Sequence, residues 1–178
     1  MKIIFWNCWG LGNPLTVHHF KGICKSHSPD MAFVAKSKND DKKVQAWLRK
    51  YGMTGVITVR PVGRAWGLAL TWNETVDISN VVINSFLISC DVLMVESQQS
   101  FSLVGVYAST EASTRREQLG VLERSLPSRL NSIVIRGDFN VVLRAHEKER
   151  DSSIDKGSIK DFRDFMMATQ LVDLGFTG

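Results

Sequence analysis

The residues best suited to chemistry sit where apolar runs stop. Asn7 closes the run Lys2–Asn7, Lys36 follows Met31–Ala35, Tyr107 lies at the end of Phe101–Ala108, and Asp138 and Asn140 follow Ser132–Ile135. The last of these is the most specific pattern, Val134-Ile135-Arg136-Gly137-Asp138-Phe139-Asn140. Gly137 lets the backbone turn sharply, and two residues spaced by one are expected to point to the same side, a carboxylate beside an amide. A carboxylate there can orient and deprotonate an attacking water, while an amide can hold a phosphate oxygen or another ligand. Read by itself, the same stretch is equally an Asx turn that ends a strand.

Those four strand ends need a scaffold to bring them together. Pro14 opens a helical segment to about Ser26, with Leu15, Phe20 and Ile23 apolar, and Ser28-Pro29-Asp30 breaks it ahead of the strand Met31–Ala35. Asp40–Lys50 reads as a short helix with Val44, Trp47 and Leu48 on one side. The texture then changes to β-branched and aromatic runs, Met53–Val59, Gly67–Trp72, Val76–Ile83, Phe86–Glu96 and Phe101–Ala108, which predict an antiparallel meander. Thr110–Leu126 returns to helix with Leu119, Leu122 and Leu126 inward and Glu117, Glu123 and Arg124 outward. Arg144–Gly157 is polar and predicts a surface loop, within which His146 and Glu147 read as a surface pair. A last helix, Ser158–Gln170, spaces Ile159, Phe162, Phe165 and Met166 along one face, and Met166-Met167 reads as core filling. Leu171–Phe176 reads as the start of another strand or a turn. Strands flanked by helices at both ends imply an α/β sandwich formed as a single domain over residues 1–178.

Bulk properties narrow the setting. The chain has 178 residues, 44% of them hydrophobic and 22% charged, which is ordinary for a globular domain. No apolar run approaches the roughly 18 residues of a membrane span, and Ile3–Trp6 is too short for a secretory signal, so the expected setting is cytoplasmic or nuclear. Cys8, Cys24 and Cys90 are odd in number and lack C-x-x-C spacing, so they read as free, small, buried hydrophobes. Net charge is +4 but uneven. Residues 1–89 carry 11 Lys and Arg against 5 Asp and Glu, residues 90–178 carry 11 against 13. A basic first half suits a phosphate-bearing partner and equally suits an ordinary solvated face.

Taken in order, the motifs resemble the endonuclease/exonuclease/phosphatase superfamily in its plant LINE-type retrotransposon branch. The resemblance rests on Trp6-Asn7-Cys8-Trp9-Gly10-Leu11-Gly12, Pro29-Asp30, Gly67-Leu68-Ala69-Leu70 with Trp72, and Gly105-Val106-Tyr107. Gly137-Asp138-Phe139-Asn140, Glu147-Lys148 and Asp173-Leu174-Gly175-Phe176-Thr177-Gly178 complete it. It implies a four-layer α/β sandwich of two mostly antiparallel sheets, and Mg²⁺- or Mn²⁺-assisted attack of water on a phosphodiester of nucleic acid. Asn7 then matches the asparagine that helps hold the metal or the scissile phosphate, and Tyr107 the tyrosine that hydrogen-bonds the phosphate. Asp138 matches the aspartate acting on water or leaving group and contributing to the metal site with Asn7, and Asn140 its partner at the transition state.

Two departures from that pattern set the expectations apart. The resemblance implies a glutamate, the main metal ligand, at the end of the second strand, whereas this sequence reads Phe33-Val34-Ala35-Lys36-Ser37 and has no Glu anywhere in residues 1–73. A unit-charge pair at about 4 Å is worth roughly 4 kcal/mol at intermediate dielectric, so metal affinity is expected to be weak. Lys36 can instead bind a phosphate as a fixed cation. The second departure is that Gly178 precedes the implied terminal Asp–His pair, so the sandwich is expected to lack its closing strands, and none of His18, His19, His27 or His146 stands in a matching motif. Open sheet edges would then favour a homodimer or a protein partner. Three functions follow: a catalytically degenerate domain that binds nucleic acid or a protein, an active Mg²⁺- or Mn²⁺-dependent endonuclease, or a regulatory protein working through its exposed edge.

Overall fold

The computed structural model describes residues 1–8, 10–11, 13–38, 41–61, 67–126, 132–141 and 156–175. Trp9, Gly12, the His146–Glu147 pair, Lys148, most of the polar stretch 144–157 and residues 176–178 lie outside the described residues. The chain divides into two compact units, Met1–Tyr107 with Pro127–Asp138 and Ala108–Leu126 with Phe139–Gly178.

The first unit is built on two four-stranded sheets. Strands β1 (Ile3–Asn7), β2 (Met31–Ala35), β4 (Leu68–Trp72) and β3 (Gly55–Val59) form one, in the order β1-β2-β4-β3. Strands β5 (Val76–Ile83), β6 (Leu87–Met94), β7 (Ser100–Tyr107) and β8 (Ile133–Asp138) form the other, in sequence order. Each sheet has one parallel pair, β1 with β2 and β7 with β8, and is otherwise antiparallel. The expected single meander is therefore split: β3–β4 joins the first sheet and β5–β6–β7 makes the meander of the second. The chain changes sheet at Asn73-Glu74-Thr75. There the Asn73 side chain accepts from the Thr75 backbone N–H at 3.0 Å and Thr75 Oγ1 donates to Asp30 Oδ1 at 3.0 Å, turning the chain out of the β4 ladder.

Alternation along the strands explains the layers. In β2, Met31, Phe33 and Ala35 face the second sheet and, with Leu68 and Leu70 of the neighbouring β4, pack against Ile88, Cys90, Val92 and Leu103. Ala32 and Val34 face the other way, against Phe20 of α1 (Pro14–His27) and Val44 and Leu48 of α2 (Asp41–Arg49). All five residues of β2 are buried, as expected for a strand covered on both faces. The sheets come together closely at Gly105, where an added Cβ would lie 2.3 Å from the Phe33 ring. Leu15, by contrast, faces solvent at 69% exposure, because the apolar face of α1 is centred on Phe20.

The three cysteines are free thiols. Burial pushes Cys8 above its ordinary value, Cys24 to about 11 and Cys90 to about 12, the last helped by the Asp91 carboxylate. None is poised as a thiolate.

The second unit pairs α3 (Ala112–Ser125) with α4 (Lys156–Thr169). Leu119 and Leu122 of α3 and Phe162 and Phe165 of α4 are buried, and Leu126 is half-buried. Arg115 is buried as well. Its guanidinium donates to the carbonyls of Ser109 and Thr110 at 3.0 and 3.1 Å and to Ser158 Oγ, so these partners that satisfy it are neutral. Met167 does not fill the core: it is 78% exposed, because the inward face of α4 runs through Ser158, Phe162 and Phe165 and position 167 falls roughly opposite. Leu171–Gly175 forms no strand. Gly175 N–H donates to Asp173 Oδ1 at 2.9 Å in a local turn.

Candidate functional site

Asn7, Lys36, Tyr107 and Asp138 converge because both parallel strand pairs end on the same side of the first unit. Register pairs Asn7 with Ala35, so Lys36 is the first residue beyond β2 and stands next to Asn7. In the other sheet Tyr107 pairs with Asp138 at the ends of β7 and β8. Asn7 Nδ2 donates to Asp138 Oδ2 at 2.9 Å, a side-chain bond that joins the two sheets at their open end. The Lys36 ammonium lies 5.2 Å from the centroid of the Tyr107 ring, within range of a cation–π contact.

Local backbone explains why these side chains are presented. After β2 the chain leaves the extended region, with Lys36 at φ 60°. Left-handed backbone at a lysine is uncommon and is held here by neighbours. Cys8 N–H donates to Ala35 O at 3.0 Å, Leu11 N–H to Ser37 O at 2.9 Å, and Ser37 N–H to Gly67 O at 3.3 Å. Ser37 is thus buried and pinned on both sides. At the end of β8, Gly137 is required by proximity: a Cβ there would fall 1.8 Å from the carbonyl oxygen of Val106.

Asn140 belongs to the second unit. Strand β8 ends at Asp138, and Asn140 has φ 50°, so the two-residue alternation that would align it with Asp138 does not extend this far. Its Nδ2 donates to Ala108 O at 2.6 Å, bracing the backbone. A residue that strand-end reasoning misses is Arg136. It is exposed, two residues before Asp138 and so on the same face of β8, with its guanidinium 6.0 Å from the Phe5 ring centroid. Its signal in the sequence is a basic residue directly ahead of Gly137-Asp138.

The cluster therefore combines two cations (Lys36, Arg136), one carboxylate (Asp138), an amide (Asn7) and a phenol (Tyr107). Among the described residues no group of three His, Cys, Asp or Glu side chains is placed to hold a metal ion. None of the described helices is long and apolar enough to cross a membrane.

No protein-family model and no curated protein matches this sequence. Solved structures do. An AP endonuclease from Archaeoglobus fulgidus superposes with a TM-score of 0.69 at 15% identity, over 94% of this chain and 70% of that one. The 3′ phosphatase NExo from Neisseria, bound to a product DNA hairpin, gives 0.69 at 15% identity over 94% and 71%. TDP2 from D. rerio, complexed with a single-strand DNA product, gives 0.58 at 17% identity over 79% and 60%. The fold is that of the endonuclease/exonuclease/phosphatase-type sandwich, and the chain spans 60–71% of the length of these three structures.

Proposed function

We propose that this chain is a nuclease-like domain that binds nucleic acid through its phosphates at the Asn7–Lys36–Tyr107–Asp138 cluster, without a metal ion and without efficient cleavage. One observation carries the reading: the end of β2 brings an ammonium, 5.2 Å from the Tyr107 ring centroid, to the strand ends where Asn7 and Asp138 meet. Mg²⁺ and Mn²⁺ are held by oxygen ligands, carboxylates above all. This cluster offers one carboxylate, already accepting a hydrogen bond from Asn7, among two cations. Among the described residues, that donor set does not fit a resident divalent ion.

The same set suits a phosphate. Lys36 supplies a point charge, and Arg136 a planar fork able to contact two phosphate oxygens. The Tyr107 hydroxyl can donate to a phosphate oxygen, and Asp138 repels the anion from its own side, which fixes where the phosphate sits. The DNA products bound in the two structurally similar enzymes support a nucleic-acid ligand. The motif run from Trp6 to Asp173 supports kinship with retroelement endonucleases. Exposed Val81, Val82 and Ile83 on the edge strand β5 support association of the chain through that edge. A concentration-independent monomer in sedimentation would remove this last element.

The deciding test is nicking of supercoiled plasmid in Mg²⁺ and Mn²⁺ alongside oligonucleotide binding in EDTA, for the parent chain, Asp138→Ala and Lys36→Glu. Binding in EDTA without nicking is expected of the parent chain, with binding strongly weakened in Lys36→Glu. The intact Asn7–Asp138 pair keeps an active nuclease as the competing reading, and it wins if the parent chain nicks DNA and Asp138→Ala does not.

A further inference from the structure

A second feature of the first unit has the composition of a nucleic-acid track. Among the described residues strand β1 is the edge of its sheet, next to β2, and Phe20 of α1 stacks on its Trp6. A groove of about 520 Å³ is lined by Trp6 of β1 and by His18, His19, Gly22, Ile23, Ser26 and His27 of α1. That volume is in the range of small-ligand sites, about 300–1,000 Å³. The groove is open at Gly22, where an added Cβ would meet nothing within 4 Å. Helix α1 contains no Asp or Glu from Pro14 to His27, and Lys21 and Lys25 stand one helical turn apart next to the groove residues. Phe20 stacks on Trp6 at a centroid separation of 5.3 Å, holding the indole in place.

Flat aromatic and imidazole faces take bases, ammonium and imidazole N–H groups take phosphates, and their alternation along a groove is how single strands are held without sequence preference. We infer that the groove between α1 and the edge of β1 is a second contact site for single-stranded nucleic acid, with bases against Trp6 and the histidines and phosphates along Lys21 and Lys25. This rests on the nucleic-acid reading above and extends it. Trp6 and Asn7 are consecutive on β1 and face opposite sides of the sheet, so a strand leaving the Asn7–Asp138 cluster needs only to round the edge of β1 to enter the groove.

The experiment is equilibrium binding of a single-stranded oligonucleotide about a dozen nucleotides long to the whole chain in EDTA, across a salt series, for five proteins. These are the parent chain, Lys21→Gln/Lys25→Gln, His18→Gln/His19→Gln, Trp6→Phe and Lys36→Gln, each checked for unchanged circular dichroism. The double lysine variant is expected to bind about tenfold more weakly, and to lower the slope of log K against log salt by about 1.4, since each phosphate no longer neutralised removes about 0.7. The double histidine variant is expected to bind severalfold more weakly, and the fluorescence quench on binding should drop in Trp6→Phe. If Lys36→Gln weakens binding while the lysine, histidine and tryptophan variants keep parental affinity, slope and quench, the groove is not a contact site and the strand-end reading stands. If the parent chain binds no oligonucleotide, both readings fall. If the α1 variants bind as the parent does and the chain dimerises through the β1 edge, the groove belongs to strand pairing and the inference is overturned.

Discussion

The ends of β2 and β8 are built to the same plan and carry opposite charges. Each finishes a strand in parallel pairing with its neighbour, and each presents a charged side chain at the same open end of the first unit. β8 ends in a carboxylate that accepts from Asn7, whereas β2 ends in an ammonium set over Tyr107. Backbone architecture and site charge are therefore separable here: the two mounts share one geometry, and a single side chain at one of them reverses its charge.

The comparison is broken most severely by collapsing one mount. Gly137→Ala would drive a Cβ into the Val106 carbonyl, and a loss of about 3 kcal/mol or more is expected in urea unfolding, with β7–β8 pairing disturbed. Reversing the charge at the other mount comes next. Lys36→Glu should weaken oligonucleotide binding by about 50-fold at low salt, a loss of roughly 2 kcal/mol. It should also create Mg²⁺-dependent thermal stabilisation that the parent lacks, read in melting curves with and without the ion. Neutralising β8 sharpens the contrast through its sign. Asp138→Asn removes the one anion of the cluster yet leaves an amide oxygen to accept from Asn7, so oligonucleotide affinity should rise about three- to tenfold where Lys36→Gln lowers it. A metal-dependent site would show the reverse for Asp138→Asn.

The smallest expected effect is acid lability away from the site. Hydrogen bonds from Asn80 Nδ2 and Ser102 Oγ, each 2.7 Å, hold the Asp91 carboxyl below its ordinary value. A depressed carboxyl contributes stability above its unfolded value of about 3.9, and that contribution is lost as pH falls through the lower folded value. Melting temperature should therefore decline below about pH 4, and Asp91→Asn should flatten that decline.

Strand ends are legible in this sequence because an apolar run stopping at a polar residue is a local signal, and Asn7, Lys36, Tyr107 and Asp138 all meet where that reasoning places them. The alternation expected to carry on to Asn140 stops at Asp138, where β8 ends, and Asn140 is left-handed at φ 50°, which nothing in Gly-Asp-Phe-Asn announces. The division of the five middle strands between two sheets is hidden for a similar reason. Asn73-Glu74-Thr75 looks like any hairpin turn until Asp30, 45 residues before Thr75 in sequence, is brought in to accept from it. Met167 suits a core by residue type alone, although its helical phase already points outward.

Strand β2 is buried along its whole length, flanked by β1 and β4, with a helix layer on one face and a sheet on the other. Its amides should be among the slowest in the molecule to exchange with solvent, and Lys36 is tethered directly to its end. A cation tethered to a fully buried strand has little main-chain freedom left to surrender on the anion binding proposed above. Much of the ordering cost of recognition is met during folding, so the dissociation rate of a bound strand, more than its association rate, should register any loosening of β2.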